Sequence, residues 1–574
     1  MKPIAKVNPD ISVRAIFTGM ALGSLLTLCN IYMGLKLGWS MNMSVIASLL
    51  GYVTWRGIEA CTHCRPWTLR ESNIQQTSAS AAGGTVSAGL VAPIPVYLII
   101  SGKEFEYWPM VLWMICISLL GICIASTMRP LMLNNSRLRF PVGVATAEVI
   151  TDIFSSGRIA RQRLQALVMA MALSISHRLL LPMSCKISFG FSLPGQGVMS
   201  GTSITAKNLG FIFEPSYMLL AFGAIIGERA ALSLMFGCLL AWLGIGPYIL
   251  AQGWEQAGPQ SESWFQYLIH WLVWPGVAMM LASALTTSAI SLFRIRSRTK
   301  IPLMWGPLEY LLICLLTPVI IAIQIMLFDI SWFAAALSIP LAFIFGMIAS
   351  QVVGETGIPP VGALGKLSQL SFAVISPGNV TTNLMTANVA GGAAGQATDL
   401  LNDLKAGHIL GTNPRHQMLA QGLGIIVGCL SSAAIFMLLI PDPSEQLMTD
   451  QWPAPGVMTW KAIALALTEG AEAIPKPARL AMLIGITAGI INELLPLLLP
   501  SRWHKYLPSM SAMGLAFVLP AQITIMLFIG AILGWILRSL APRWSQRFLL
   551  AIAAGGIAGE SIIGVFGSMW LILT

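Results

Sequence analysis

Two pairs of carboxylates stand four residues apart in apolar, small-residue sequence: Glu148 with Asp152, and Asp399 with Asp403. On a helix that spacing puts both acids of a pair on one face, with Cβ atoms about 5–6 Å apart. Carboxylates so close resist being charged together, which is the chemistry of a proton carrier or a cation site. Bases follow each pair (Arg158, Arg161 and Arg163; Lys405 and Arg415), so the alternative is a solvated interfacial helix that they neutralise. Glu355 ends an apolar run, and Gly357, Pro359 and Pro360 break any helix after it. A broken helix end carrying a carboxylate suits an ion or substrate contact. Glu560 stands alone in the last apolar run, where pairing and proton relay are equally open. Glu148, Glu355, Asp399, Asp403 and Glu560 are therefore the candidate proton-coupling residues.

Uncharged amides form the second group. NVTTNLMTAN supplies Asn379, Asn383 and Asn388, and NIQQTSAS supplies Asn73, Gln75 and Gln76 with Thr77 and Ser80. Amides flanked by Ala and Gly can line a polar path or hold a peptide backbone, and they can equally be hydrogen-bond glue between helices. Asn73, Gln76, Asn379, Asn383 and Asn388 are the candidate substrate-binding residues. GALGKLS imitates a phosphate loop but has Pro360 where the first Gly belongs and Leu367 where Ser or Thr would hold magnesium. Neither HExxH nor GxSxG occurs, and the six histidines do not cluster with Cys or acids. CTHC (Cys61, His63, Cys64) is a single pair without a second, so no metal site and no cofactor is expected.

The elements that must position these groups follow from composition. The chain has 574 residues, 56% hydrophobic and 10% charged, with mean hydropathy +0.76. Soluble domains carry about 25% charged residues, so a soluble chain is excluded. Apolar runs recur end to end, and each crossing needs about 20 residues. The reading is an all-α polytopic integral membrane protein of about 15–16 transmembrane helices, some broken or re-entrant. The segment 371–395 is either a crossing or a dip. The net charge of +10 lies in short loops rather than one domain, which is a positive-inside bias and not a nucleic-acid surface. Loops around Arg56 to Arg70, Arg129 to Arg139 and Arg294 to Lys300 are expected in the cytoplasm; 251–266 and 441–456, with no Lys or Arg, are expected outside. Arg502 and Lys505 fit that scheme badly.

Weak internal matches divide the chain into two repeat-like halves, 1–300 and 301–574. Asn379 follows Asn73 by 306 residues, and GAILG (530–534) follows GAIIG (223–227) by 307. ATAEVITD (145–152) resembles QATDLLND (396–403) at an offset of 251. Repeated halves with a site between them are a transporter arrangement.

NIYMGLKLGWS (30–40), ESNIQQTSASAAG (71–83), RFPVGVATAEV (139–149), GETGIPPVGALGKLSQL (354–370) and above all 376–417 resemble the oligopeptide transporter family, which includes the yellow-stripe-like metal-chelate carriers. The resemblance runs in order over nearly the whole chain. It implies a fold of about sixteen helices and proton-driven import of small peptides, glutathione-like compounds or metal complexes of amino-acid-derived chelators. It favours Glu148, Glu355, Asn379, Asn383, Asn388, Asp399, Asp403 and Lys405 as motif positions. Val142 stands where the family's usual acid follows a Phe-Pro pair. The short loops suit a compact bacterial member, multi-pass in the inner membrane.

The leading reading is a proton-coupled symporter whose partners are a small solute, protons and the bilayer. An ion channel would need a symmetric pore with a short filter, which two dissimilar halves do not supply. A membrane-embedded enzyme would need a catalytic constellation, and none stands at helical spacing. Stripes of small residues serve packing within and between chains alike, so a homo-oligomer stays open.

Overall fold

A computed structural model describes residues 11–573 apart from 39, 41, 63, 134–137, 156, 181–186, 194–202, 297–306 and 357–360. Helices dominate. The first group is α1 (Val13–Leu37), α2 (Ser44–Thr62), α3 (Leu69–Gly84), α4 (Pro93–Ser101), α5 (Tyr107–Leu133), α6 (Pro141–Ser155) and α7 (Gly157–Leu180). Four two-residue strands follow, then α8 (Tyr217–Ile226), α9 (Glu228–Cys238), α10 (Gly246–Ala251) and α11 (Phe265–Arg296). Next come α12 (Pro307–Phe328), α13 (Trp332–Thr356), α14 (Val361–Ile375), α15 (Val380–Leu410), α16 (Pro414–Leu439), α17 (Pro443–Gln446) and α18 (Pro455–Thr468). The chain ends with α19 (Lys476–Leu498), α20 (Met510–Ala516), α21 (Ala521–Leu540) and α22 (Pro542–Leu573).

Among the described residues, 11 helical stretches are long and apolar enough to cross a membrane, and α3 with α4 forms one of them, Leu69–Ser101. This is an all-α polytopic membrane protein. The longer α15 is not among the 11. Its Ala, Gly and amide sequence is too polar on average to read as a span, yet nearly every residue from Thr382 to Gly407 is buried among other helices. The segment 371–395 does not form one element. Pro377 and Gly378 stop α14, and Asn379 starts α15 as its N-cap, its Oδ1 accepting from Thr382 N at 2.9 Å.

The helices pack in two sets, each drawing on both sides of residue 300. In one, α3 lies against α1 and α16, while α15 lies against α13 and α5. In the other, α22 runs along α7 and α11 runs along α19. Glycine sets the closest crossings, because any Cβ there would strike a neighbouring backbone. A Cβ on Gly237 of α9 would lie 2.5 Å from Met513 O of α20, and one on Gly530 of α21 would lie 2.1 Å from Leu220 O of α8. Gly530 follows Gly237 by 293 residues, and Met513 follows Leu220 by the same 293. GAIIG and GAILG themselves lie against one another, with Gly223 on Leu527 and Gly530 on Leu220.

Arg14 at the start of α1 reaches the 65–66 turn, and Gly411 lies beside Arg70. The 499–509 loop joins α9 through Arg229, whose Nε donates to Leu507 O at 2.6 Å, and Arg538 Nη1 donates to Ala224 O at 2.9 Å.

Candidate functional site

The site is built on α15. Its N-terminal amides are taken up by backbone. Asn383 Nδ2 donates to Gln369 O, and Asn388 Nδ2 donates at 3.2 Å to Ala88 O, where the chain between α3 and α4 leaves helical geometry. Asn379 accepts as an N-cap, so these three candidate substrate residues contribute two donors to helix packing and one acceptor to capping. An amide facing a broken helix replaces the intrahelical bond the break removes.

About two to four turns further along, α15 carries Gln396, Asp399 and Asp403. Asp403 is 1% exposed, so it is not a solvated interfacial residue; Asp399 is half-buried. Asp399 Oδ1 accepts from Asn42 Nδ2 at 3.2 Å, and Asp403 Oδ1 accepts from Ser44 Oγ at 2.8 Å. Asn42 also accepts from Ser44 N at 3.1 Å, so the same two residues that start α2 hold both acids. The N-terminal end of α2 thus faces the pair, and helix N-termini favour negative charge. Ser80 Oγ of α3 lies 3.0 Å from Ser44 Oγ, and a Cβ on Gly84 would lie 3.0 Å from Asp399 Oδ2. Gly84, beside the acids, is midway along the Leu69–Ser101 stretch.

Around them lies a shell of buried amides. Gln417 Nε2 of α16 bridges Asp403 O at 2.7 Å and Thr77 Oγ1 at 3.2 Å. Gln76 Nε2 donates to Asn73 Oδ1 at 3.2 Å and to Thr77 Oγ1 at 3.1 Å. Asn73 Nδ2, Gln76 Oε1, Asp403 Oδ2 and both polar atoms of Gln75, Gln396 and Gln421 are buried without a hydrogen-bond partner among the described residues. Helix glue is normally satisfied.

The remaining acids sit elsewhere. Glu148 is exposed on α6, and Asp152 is paired with Arg163 at 3.2 Å. That pair does not join the α15 pair. Glu355 lies in the last turn of α13, with its side chain outside the described residues. Glu560 is 6% exposed and caps α8: Oε1 accepts from Ser216 Oγ at 2.7 Å and Oε2 from Met218 N at 3.0 Å. Both contacts are those of a capping carboxylate. Glu560→Ala should lower stability by about 1–3 kcal/mol through the orphaned donors, and Glu560→Gln by less, as read by denaturant titration in micelles. A shift in the pH profile of uptake for Glu560→Gln would return it to the relay.

Sequence reasoning passed over Asn42, Ser44, Gln396, Gln417 and Gln421 as site residues. Gln417 and Gln421 stand four apart and so share a helix face, the same signal that singled out the acids.

The fold and this site together define a polytopic helical membrane protein with a carboxylate pair held inside a polar cluster between its helices. A sequence model of the OPT oligopeptide transporter protein family matches residues 10–301 and 294–571. The chain belongs to that family of transporters. It is 22% identical to the putative oligopeptide transporter YGL114W of Saccharomyces cerevisiae, across all of this chain and 97% of the relative. It is 23% identical to the metal-nicotianamine transporter YSL2 of Arabidopsis thaliana, over 96% of this chain and 92% of the relative. Likeness to the probable metal-nicotianamine transporter YSL5 of Oryza sativa subsp. japonica is 22%, over 100% and 95%.

Proposed function

We propose that the chain is a proton-coupled symporter that imports small peptides or amino-acid-derived metal chelates across a bacterial inner membrane. The observation that carries this reading is the Asp399–Asp403 pair, held by Asn42 and Ser44 among unpartnered amides. Two carboxylates side by side in a poorly solvated site are costly to keep charged, and a proton shared there relieves the cost. A group of that kind loads from the acidic side and releases to the other when the helices around it move. The stretches 1–300 and 301–574 are read as two repeats that interleave, so the moving bodies are the two packed sets rather than the two sequence halves. The matched crossings of α9 on α20 and of α8 on α21 support this.

Uptake into proteoliposomes under an inward proton gradient tests the reading. The solutes offered are di- to pentapeptides and nickel–nicotianamine, with solute and metal both counted inside. Gradient-dependent entry of nicotianamine and nickel in fixed ratio makes it a chelate symporter, and peptide entry alone makes it a peptide symporter. Equal entry with and without the gradient would refute proton coupling.

A further inference from the structure

Lys366 is a buried cation that none of the above employs. It lies on α14, 8% exposed, and its Nζ has one polar contact, Met280 Sδ at 3.9 Å. No carboxylate pairs with it among the described residues. A thioether is a weak acceptor, so the ammonium has lost water without gaining a counter-charge. Ionisable groups at membrane depth are normally paired, or they mark a solute pathway. The location is telling. Met280 is half-way along α11, which belongs to the set with α19 and α20, whereas α14 belongs to the set with α15 and α18. Lys366 therefore sits on the seam where the two packed sets meet.

Two unpartnered acceptors belong to residues packed on its helix. Gln369, three residues on, shares the helix face of Lys366, is 0% exposed, and leaves Oε1 unpartnered while its Nε2 donates to Trp460 O at 3.3 Å. Asn383 Nδ2 is bound to Gln369 O, and Asn383 Oδ1 is likewise buried and unpartnered. A fixed cation with two open acceptors on or against its helix complements a solute end that carries a carboxylate and N–H groups.

We infer that Lys366 receives the carboxylate of the transported solute at the seam between the two helix sets, with Gln369 Oε1 and Asn383 Oδ1 taking its N–H groups. This rests on the symporter reading and deepens it. Peptides and amino-acid-derived chelates share an amino-carboxylate end, so one such site serves either.

The test uses the full chain in lipid nanodiscs, with trialanine, trialanine amide and nickel–nicotianamine as probes. Wild type should bind trialanine or the chelate at least about tenfold more tightly than the amide. Lys366→Met should abolish that preference, leaving weak binding of all three, and Lys366→Arg should restore part of it. An undiminished preference for the carboxylate in Lys366→Met overturns the assignment. A second measurement does not depend on the probes or on that variant folding: acetylation of wild-type Lys366 by an anionic sulfosuccinimidyl ester, followed by mass spectrometry. Modification at a rate approaching that of the exposed Lys103 supports a seam that opens to anions. Absence of modification under gradients of either direction overturns the site. If no probe binds wild type, the assigned solute classes fail while the acetylation result still decides Lys366.

Discussion

Asp403→Asn is expected to abolish gradient-driven accumulation while leaving equilibrium solute binding within a few-fold. The amide keeps the size of the side chain and its bond from Ser44 Oγ, at 2.8 Å in the wild type, but it cannot take and release a proton. Accumulation against a gradient should fall by more than about tenfold, since a charge-assisted hydrogen bond is worth about 1.5–3 kcal/mol and the coupling carrier itself is removed. Asp399→Asn should act in the same direction, and the double variant should be no worse than the more severe single one, because both act on one proton. Ser44→Ala separates positioning from carrying: uptake should persist with a displaced pH profile. Normal accumulation by both single variants and by the double would eliminate the pair as the coupling site. Asn42→Ala gives a further check, as it removes the partner of Asp399 together with the acceptor of Ser44 N.

The second large effect is on stability. Glu71 is fully buried at the start of α3 and takes a bidentate bond from Arg14, Nε to Oε1 at 2.8 Å and Nη2 to Oε2 at 2.7 Å. The Arg14 guanidinium also lies over Trp55 and Trp67, 4.8 and 5.2 Å from the ring centroids. Arg14→Met leaves Glu71 with Arg65 at 3.5 Å and its own capping box with Thr68. Breaking a buried pair from one side costs about 3–5 kcal/mol, and the surviving partners place this one near the lower bound. Arg14→Met with Glu71→Met should recover part of the loss, because no charge is left stranded. Denaturant titration in mixed micelles measures both. A change below about 1 kcal/mol for the single variant would show that the pair behaves as a solvated surface contact.

How much of this was legible in the residues depends on the range over which each contact is made. Apolar runs and the Asp399–Asp403 spacing are local, and both led to the right elements. Pro377, Gly378 and Asn379 are likewise a local stop-and-start signal, and they explain why 371–395 divides into two helices. The partners of the acids are not local: Asn42 and Ser44 reach Asp399 and Asp403 across more than 350 residues. Nothing in one sequence announces such a pairing. The amides misled for a different reason. Asn383 and Asn388 look the same in sequence whether they face a path or a backbone carbonyl, and only the fold shows that their Nδ2 donors go to Gln369 O and Ala88 O while Asn383 Oδ1 stays open. Glu148 shares the spacing of the α15 pair, but α6 presents it outward.

The interleaving of the two sequence stretches also bears on how the chain is made. The buried amides of α3 must wait for α15 and α16, which leave the ribosome more than 300 residues later. At about 5–20 residues per second, that is a delay of roughly 15–60 seconds. For that interval Asn73, Gln75 and Gln76 lack their final neighbours in a medium that cannot hydrate them. Insertion of the first stretch alone therefore yields an intermediate that needs a sheltered place beside the translocation machinery. Truncation near residue 300 should leave that intermediate open to quality-control proteases rather than produce a stable half-protein.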